Sequence, residues 1–272
     1  MPIRLLAVDL DGTLVDHTME IRPRVRSALR RAMEAGVQVT LASGRPFTHT
    51  ALFAQQLGID TPLICFQGAL VQEPGSREIL FRCGVPAALA GEFIDLARAQ
   101  QWSLSMYMDD GLYAERVTPL VRFFAQYSPI PQLVIAVDDL HALLSGEPMK
   151  LIVVAEEGQA TQVNKLLKAR FDGRLRIVRS FECFVEGTSL AASKGQALAF
   201  LAAKLGVTQA ETMAIGDQDN DADMVAWAGL GVAMGNASPA VKARANYVAP
   251  PFDEDGVAEA VECFILEGRA DE

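Results

Sequence analysis

Short apolar runs alternate along this chain with longer stretches whose apolar positions recur every three to four residues. Ile3-Arg4-Leu5-Leu6-Ala7-Val8 is rich in branched residues, the pattern of a strand buried on both faces. An amphipathic helix is predicted over 23–35, ended by Gly36, and a second buried strand over 37–42. Pro46 suits the first turn of a helix that runs to about Leu57, and 62–66 reads as a third strand. Strands separated by helices make βαβ units, hence a parallel sheet with right-handed crossovers.

The rhythm changes after about Phe81. Residues 102–107 alternate like a half-exposed antiparallel strand, with 111–114 as its hairpin partner. Further strands are predicted over 149–155, 175–179 and 181–186, and helices over 87–99 and 158–171. This part reads as an α+β module, one sheet with helices on one face. From Ser193 the βαβ rhythm returns. A helix is expected over 194–205, a strand over 212–215, a helix over 221–228, a strand over 230–233, a helix from Pro239 and a short strand over 246–248. The last helix starts near Asp255, with acids in its first turn. One α/β domain is thus split by an inserted α+β domain.

At 272 residues, half of them hydrophobic, the chain can bury a sizeable core. No apolar run approaches the roughly 18 residues of a membrane span. The first strand begins almost at once and leaves no room for a signal peptide. Cys65, Cys83, Cys183 and Cys263 lack metal-ligand spacing and read as reduced, packed thiols of a cytoplasmic protein. The net charge of −10 argues against nucleic acid as a partner. The basic residues between Arg22 and Arg31 fit a solvated helix face. A small anionic substrate stays compatible with the charge, because a metal and a few donors can reverse the field inside a cleft.

Four polar stations follow predicted strands or open helices. The first is Asp9-Leu10-Asp11-Gly12-Thr13, at the end of the first strand. Ligands of open α/β sheets bind at such ends, and a carboxylate there can bind a hard cation, attack an electrophile or trade a proton. The alternative is a plain polar turn. The second, Ser43-Gly44-Arg45-Pro46, reads either as a phosphate cradle at a helix start or as an ordinary helix cap. The third is Ser193-Lys194-Gly195. A cation at a helix N-terminus opposes the dipole, so Lys194 is either holding an anion or is a solvated surface lysine. The fourth, Gly216-Asp217-Gln218-Asp219-Asn220-Asp221, crowds acids into a strand-to-helix turn. A capping turn would explain some of these residues. Three aspartates there repel each other unless something positive is bound, which favours a metal.

Together the four stations resemble, in order, the motifs of the haloacid dehalogenase superfamily. The subfamily is the Cof-type phosphatases, whose cap is inserted between the second and third motifs. Met234-Gly235-Asn236-Ala237 and Asp253-Glu254-Asp255-Gly256-Val257 are also similar to that subfamily. Two positions depart from it: Gln67 and Phe252 stand where relatives often have Asn. The resemblance implies a Rossmann-like core over 1–83 and 188–272 and a cap over 84–187. It implies Mg²⁺-dependent hydrolysis of a small phosphorylated metabolite. Asp9 would be the nucleophile, and Asp11 the general acid and then base. Asp9, the Asp11 carbonyl and Asp217 would bind Mg²⁺, with Asp221 as an outer or occasional ligand. Ser43, Gly44, Lys194, Asn220 and the Leu10 amide would hold the phosphoryl oxygens. Two other readings stay open: a phosphomutase or phosphotransferase of the same superfamily, and a signalling module phosphorylated on Asp9. Trp102, Tyr107, Tyr113 and Phe184 either line the cleft or pack the cap's own core. His17, His49 and His141 are expected in loops or on helix surfaces, without a catalytic role.

Overall fold

The computed structural model describes residues 2–109, 111–127, 132–156, 158–179 and 182–268. The chain divides into two compact units, Met1–Arg82 with Ser193–Glu272, and Cys83–Ala192.

The first unit is built on a parallel five-stranded sheet. Its order is Tyr247–Val248, Leu230–Ala233, Thr212–Gly216, Leu5–Val8 and Gln38–Leu41. Leu5–Val8 is an interior strand and wholly buried, which is why its sequence is apolar throughout instead of alternating. The chain leaves this strand towards Gln38–Leu41 on one side and later returns at Thr212–Gly216 on the other. The crevice where the order reverses is the usual ligand position of such a sheet. Asp9 and Asp217 follow these two neighbouring strands directly, so the topology puts both acids there. Helix Pro23–Glu34 buries Val25, Ala28, Leu29 and Ala32, a helical stripe. Its basic face is exposed, with Arg22 bonded to Asp255 and Arg24 to Glu262.

The predicted third strand is only partly parallel. Ile64 makes a single parallel bridge to Ala42, while Leu63–Cys65 pairs antiparallel with Leu70–Gln72, and that strand with Ile79–Arg82. A parallel continuation needs a crossover of a dozen residues or more. Here the turn Phe66-Gln67-Gly68 reverses the chain at once, and a separate three-stranded sheet forms.

The second unit carries a six-stranded mixed sheet. Its order is Leu175–Arg179, Phe184–Ser189, Lys150–Val154, Ser103–Tyr107, Leu112–Ala114 and Val134–Ala136. Helices Ala87–Ala99 and Ala160–Phe171 close one face, where Phe93 and Phe171 stack 5.4 Å apart among Leu104, Met106, Leu151, Val153 and Val185. The expectation that helices cover one face alone is corrected by helix Pro119–Tyr127. It lies against the opposite face, with Phe124 edge-on to both Tyr107 and Phe184. Thr118 caps its start through Val121 N at 3.2 Å, ahead of a first-turn proline. The strand predicted from Phe181 begins at Phe184, and Phe181 lies outside the described residues.

Other expectations shift in detail. Cys65 is buried, but Cys83, Cys183 and Cys263 are only half-buried, the first two just beyond strand ends. Burial pushes the Cys65 thiol up to about 12. His49 is buried instead of exposed: helix Phe47–Leu57 turns it inwards with Phe47, Thr50 and Phe53. Among the described residues no helix is long and apolar enough to cross a membrane.

Candidate active site

Asp9 stands one residue past strand Leu5–Val8, fastened by its N–H to the Ile215 carbonyl at 3.0 Å. Its side chain is almost fully buried. The chain then turns sharply. The N–H groups of Leu14 and Val15 return to the Leu10 carbonyl, each at 2.9 Å, and Gly12 N–H meets Val15 O at 2.8 Å. Gly12 has φ +87°, and any β-carbon there would overlap the Asp217 carboxylate. Both the turn and the close approach therefore require glycine.

Lys194 settles its two readings. It opens helix Lys194–Lys204, capped by Ser193, yet is completely buried. Its ammonium donates to Asp9 Oδ1 and to Asp221 Oδ1, both at 2.6 Å. Burial alone would lower its pKa, but the two carboxylates outweigh burial and hold it above the usual lysine range. Asp221 serves the turn as well. Its Oδ2 accepts the N–H groups of Asp217 and Gln218, each at 3.0 Å. The capping reading of this acid-rich turn is thus realised, in a carboxylate that also meets the Lys194 ammonium.

Asp217 is gripped on both oxygens. Thr13 Oγ1 donates to Oδ1 at 3.3 Å, while Gln218 Nε2 and Asn236 Nδ2 donate to Oδ2 at 2.9 and 3.2 Å. Asn236 also reaches the Gly12 carbonyl at 2.9 Å and accepts Phe252 N–H at 3.0 Å. The departure at Phe252 therefore contributes a backbone donor here, while its ring lies 6.0 Å from the Arg22 guanidinium.

Carboxylate oxygens of Asp9, Asp217 and Asp221 lie within 4.8 Å of one another. Three buried acids face one ammonium, and the electrostatics register the imbalance. Burial first, then Asp221 and Asp217, push the Asp9 carboxyl well above the ordinary range, against the pull of Lys194. Burial likewise lifts Asp217 to about 6, against the hydrogen bond from Gln218. A donor set of hard, anionic oxygens short of positive charge fits a divalent metal cation.

Ser43 and Gly44 enter by another route. Ser43 is fully buried, tied by its N–H to Ile64 O at 2.8 Å, and its hydroxyl accepts Arg45 N–H at 3.1 Å. The residue preceding helix Phe47–Leu57 is Pro46, so Ser43 braces its own turn and does not cap that helix. Asn220 Nδ2 donates to Gln67 Oε1 at 2.7 Å, and Gln67 N–H to Ser43 O at 3.1 Å. Asp11 is exposed and turned aside. Arg45 clasps both its oxygens, at 2.6 and 2.9 Å, while its own guanidinium lies 5.7 Å from the Phe53 ring.

Thus Asp9, Lys194, Asp217 and Asp221 form one directly bonded cluster, and Ser43 and Asn220 meet through Gln67. Sequence reasoning gave no role to Thr13, Arg45, Gln67, Gln218 or Asn236. Asn236 and Gln67 did carry a signal, as part of a recognised segment and as a departure from it. Within the second unit all four candidate aromatics make packing contacts. Trp102 and Tyr113 lie against the core of the second unit, and Tyr107 and Phe184 are buried beside Phe124.

The family model of the haloacid dehalogenase-like hydrolases matches residues 6–261. The pyridoxal phosphate phosphatase YbhA of Escherichia coli is 30% identical over 98% of this chain and 100% of its own length. A haloacid dehalogenase-like hydrolase from Bacteroides thetaiotaomicron superposes with a TM-score of 0.84 at 31% identity, covering 96% of this chain and 98% of that one. The subclass IIB sugar phosphatase BT4131 does so with a TM-score of 0.78 at 25% identity, covering 96% and 98%.

Proposed function

We propose a specific chemistry for a chain that belongs to the haloacid dehalogenase-like hydrolases: Mg²⁺-dependent hydrolysis of a small phosphate monoester through an aspartyl phosphate on Asp9. The protein is a phosphatase of the Cof-type subclass IIB of that family. The observation that carries the finer reading is the buried cluster at the sheet crevice, in which Lys194 bridges Asp9 and Asp221 beside Asp217.

Lys194 occupies Asp9 Oδ1, and Oδ2 takes no hydrogen bond among the described residues, so one oxygen is available to attack. It forms the new bond to phosphorus as the ester P–O bond breaks. Asp11, parting from Arg45, gives the leaving oxygen its proton. In the second displacement Asp11 takes a proton from water as that water attacks the aspartyl phosphate. Phosphate leaves and Asp9 is restored. Charge in such a transition state spreads over the equatorial oxygens, and fixed donors there supply most of the rate. Lys194, Ser43, Asn220 and the N–H groups of Leu10 and Gly44 are the donors assigned to them. When bound by Asp9, Asp217 and the Asp11 carbonyl, with Asp221 further out, Mg²⁺ offsets carboxylate–phosphate repulsion and aligns the reactants.

The relatives act on pyridoxal phosphate and on sugar phosphates, and the substrate here is assigned to that range of cofactor and sugar monoesters. All the residues just named lie in the first unit, so the second, Cys83–Ala192, is the part assigned as a cap that reads the leaving group. The test is free-phosphate release over a panel of such esters with Mg²⁺. Asp9→Asn should abolish release, and Asp11→Asn should slow it by roughly 10²–10⁴. Near-normal turnover in Asp9→Asn overturns the mechanism, and transfer to a sugar hydroxyl in place of water identifies a phosphotransferase instead.

A further inference from the structure

The turn after strand Leu63–Cys65 is strained. Phe66, Gln67 and Gly68 lie consecutively in left-handed backbone, with φ of 50°, 60° and 89°. Glycine adopts that region freely, whereas Phe and Gln do so at a cost, and such strain collects at functional sites. The surroundings enforce it. Phe66 N–H is held by Arg45 O at 3.0 Å and Gln67 N–H by Ser43 O at 3.1 Å. A β-carbon on Gly68 would run into the Ser193 carbonyl, so the turn rests directly on the start of the Lys194 helix.

The strain aims one side chain. Gln67 Oε1 accepts the Asn220 amide at 2.7 Å. Its Nε2 lies so near Gly44 that a β-carbon there would overlap it, and makes no hydrogen bond among the described residues. One side-chain amide thereby joins the Ser43–Gly44 turn to Asn220 and leaves its donor end unspent beside Gly44.

We infer that Gln67 is a further phosphate-binding residue: Nε2 donates to a phosphoryl oxygen of the substrate while Oε1 holds Asn220 in place. This rests on the phosphatase reading above and adds a donor to it. A hydrogen bond to a charged oxygen of this kind corresponds to about 10- to 100-fold in affinity.

Three substitutions in the full-length protein separate the contributions. Gln67→Gly removes the amide and suits φ 60°. Gln67→Asn also tolerates left-handed backbone but is one methylene shorter. Gln67→Glu keeps the acceptor for Asn220 and exchanges the donor for a negative charge. Inorganic phosphate binding is measured by calorimetry with Mg²⁺ present, alongside KM and kcat for p-nitrophenyl phosphate and the urea midpoint. Gln67→Gly should unfold at the same or a higher urea concentration and bind phosphate about 10- to 100-fold more weakly. Gln67→Asn should fall between it and the wild type. Gln67→Glu should bind phosphate more weakly than Gln67→Gly, because a like charge replaces the donor.

Phosphate binding within threefold of wild type in both Gln67→Gly and Gln67→Glu overturns the inference. So does near-wild-type binding in Gln67→Glu alone, which would reduce Gln67 to a support for Asn220. Should Gln67→Gly be destabilised, Gln67→Glu still decides. The phosphatase reading fails separately, if the wild-type protein hydrolyses no monoester. Calorimetry then still reports whether Gln67 touches phosphate.

Discussion

Lys194 departs furthest from the usual behaviour of its residue type. A lysine ammonium is rarely buried without acids around it. Here burial is complete and two carboxylates answer it at 2.6 Å. Lys194→Met would leave Asp9 and Asp221 facing each other in a dry site, next to Asp217. Breaking a buried pair in this way costs about 3–5 kcal/mol. Urea unfolding of metal-free Lys194→Met should show a loss of that order, and added Mg²⁺ should restore part of it. Stability equal to wild type would mean that the cluster is not held by this lysine. The candidate was legible because a cation at a helix start contradicts the dipole, a local conflict that needs a distant explanation. Asp9, Asp217 and Asp221 were legible as acids placed just past apolar strands. The roles of Gln218, Thr13 and Asn236 were not, even though Asn236 lies in a recognisable segment, because their value lies in converging on one carboxylate from three separated segments. Ordinary polar residues in turns carry no mark of such a meeting. Arg45 was hidden for the same reason: its partner, Asp11, lies 34 positions away in sequence.

Among elements, the central strands and flanking helices of the first unit were legible because burial on both faces leaves continuous apolar runs. The hairpin Leu63–Cys65 with Leu70–Gln72 was not. It depends on three left-handed residues, of which only Gly68 announces itself in sequence. Helix Pro119–Tyr127 was overlooked although Thr118 and Pro119 give a start signal, because its aromatics suggest strand as readily as helix. The turn at Gly68 is also where helix and sheet docking can be probed. Gly36 and Gly68 both have φ near 90°, but Gly36 has open space around it, whereas a β-carbon on Gly68 would meet the Ser193 backbone. Gly36→Ala should cost only the left-handed backbone penalty, about 1–2 kcal/mol. Gly68→Ala should cost more than Gly36→Ala, because the Lys194 helix must also shift, and should weaken phosphate binding with it. Urea midpoints of the two variants make the comparison. Equal losses would show that the contact between this turn and the helix start is not tight.

At the scale of the whole chain, the motifs act together only because one sheet gathers segments about 200 residues apart. Asp9 and Asp217 are neighbours in space through the pairing of Val8 with Ile215. That arrangement concentrates negative charge, and the charge predicts how the molecule responds to cations. A ligand that binds the folded state alone stabilises it by about 2.7 kcal/mol at a hundred times its dissociation constant. For a chain of this size that corresponds to a Tm rise of roughly 5–10 °C. Saturating Mg²⁺ should produce a rise of this order in the wild type. Asp217→Asn should lose most of it, yet be no less stable than wild type without metal, since one charge of a crowded set has been removed. Ca²⁺ should also raise Tm but should not support turnover. It accepts roughly six to eight oxygens and commonly takes both oxygens of one carboxylate, which would occupy the Asp9 oxygen that Lys194 leaves free. Melting curves and phosphate release, recorded with chelator, Mg²⁺ and Ca²⁺ in turn, separate binding from chemistry. Full activity with chelator present, or with Ca²⁺ as the only divalent ion, would contradict this account of the cluster. An unchanged Tm with saturating Mg²⁺ would mean that the three carboxylates do not form its site.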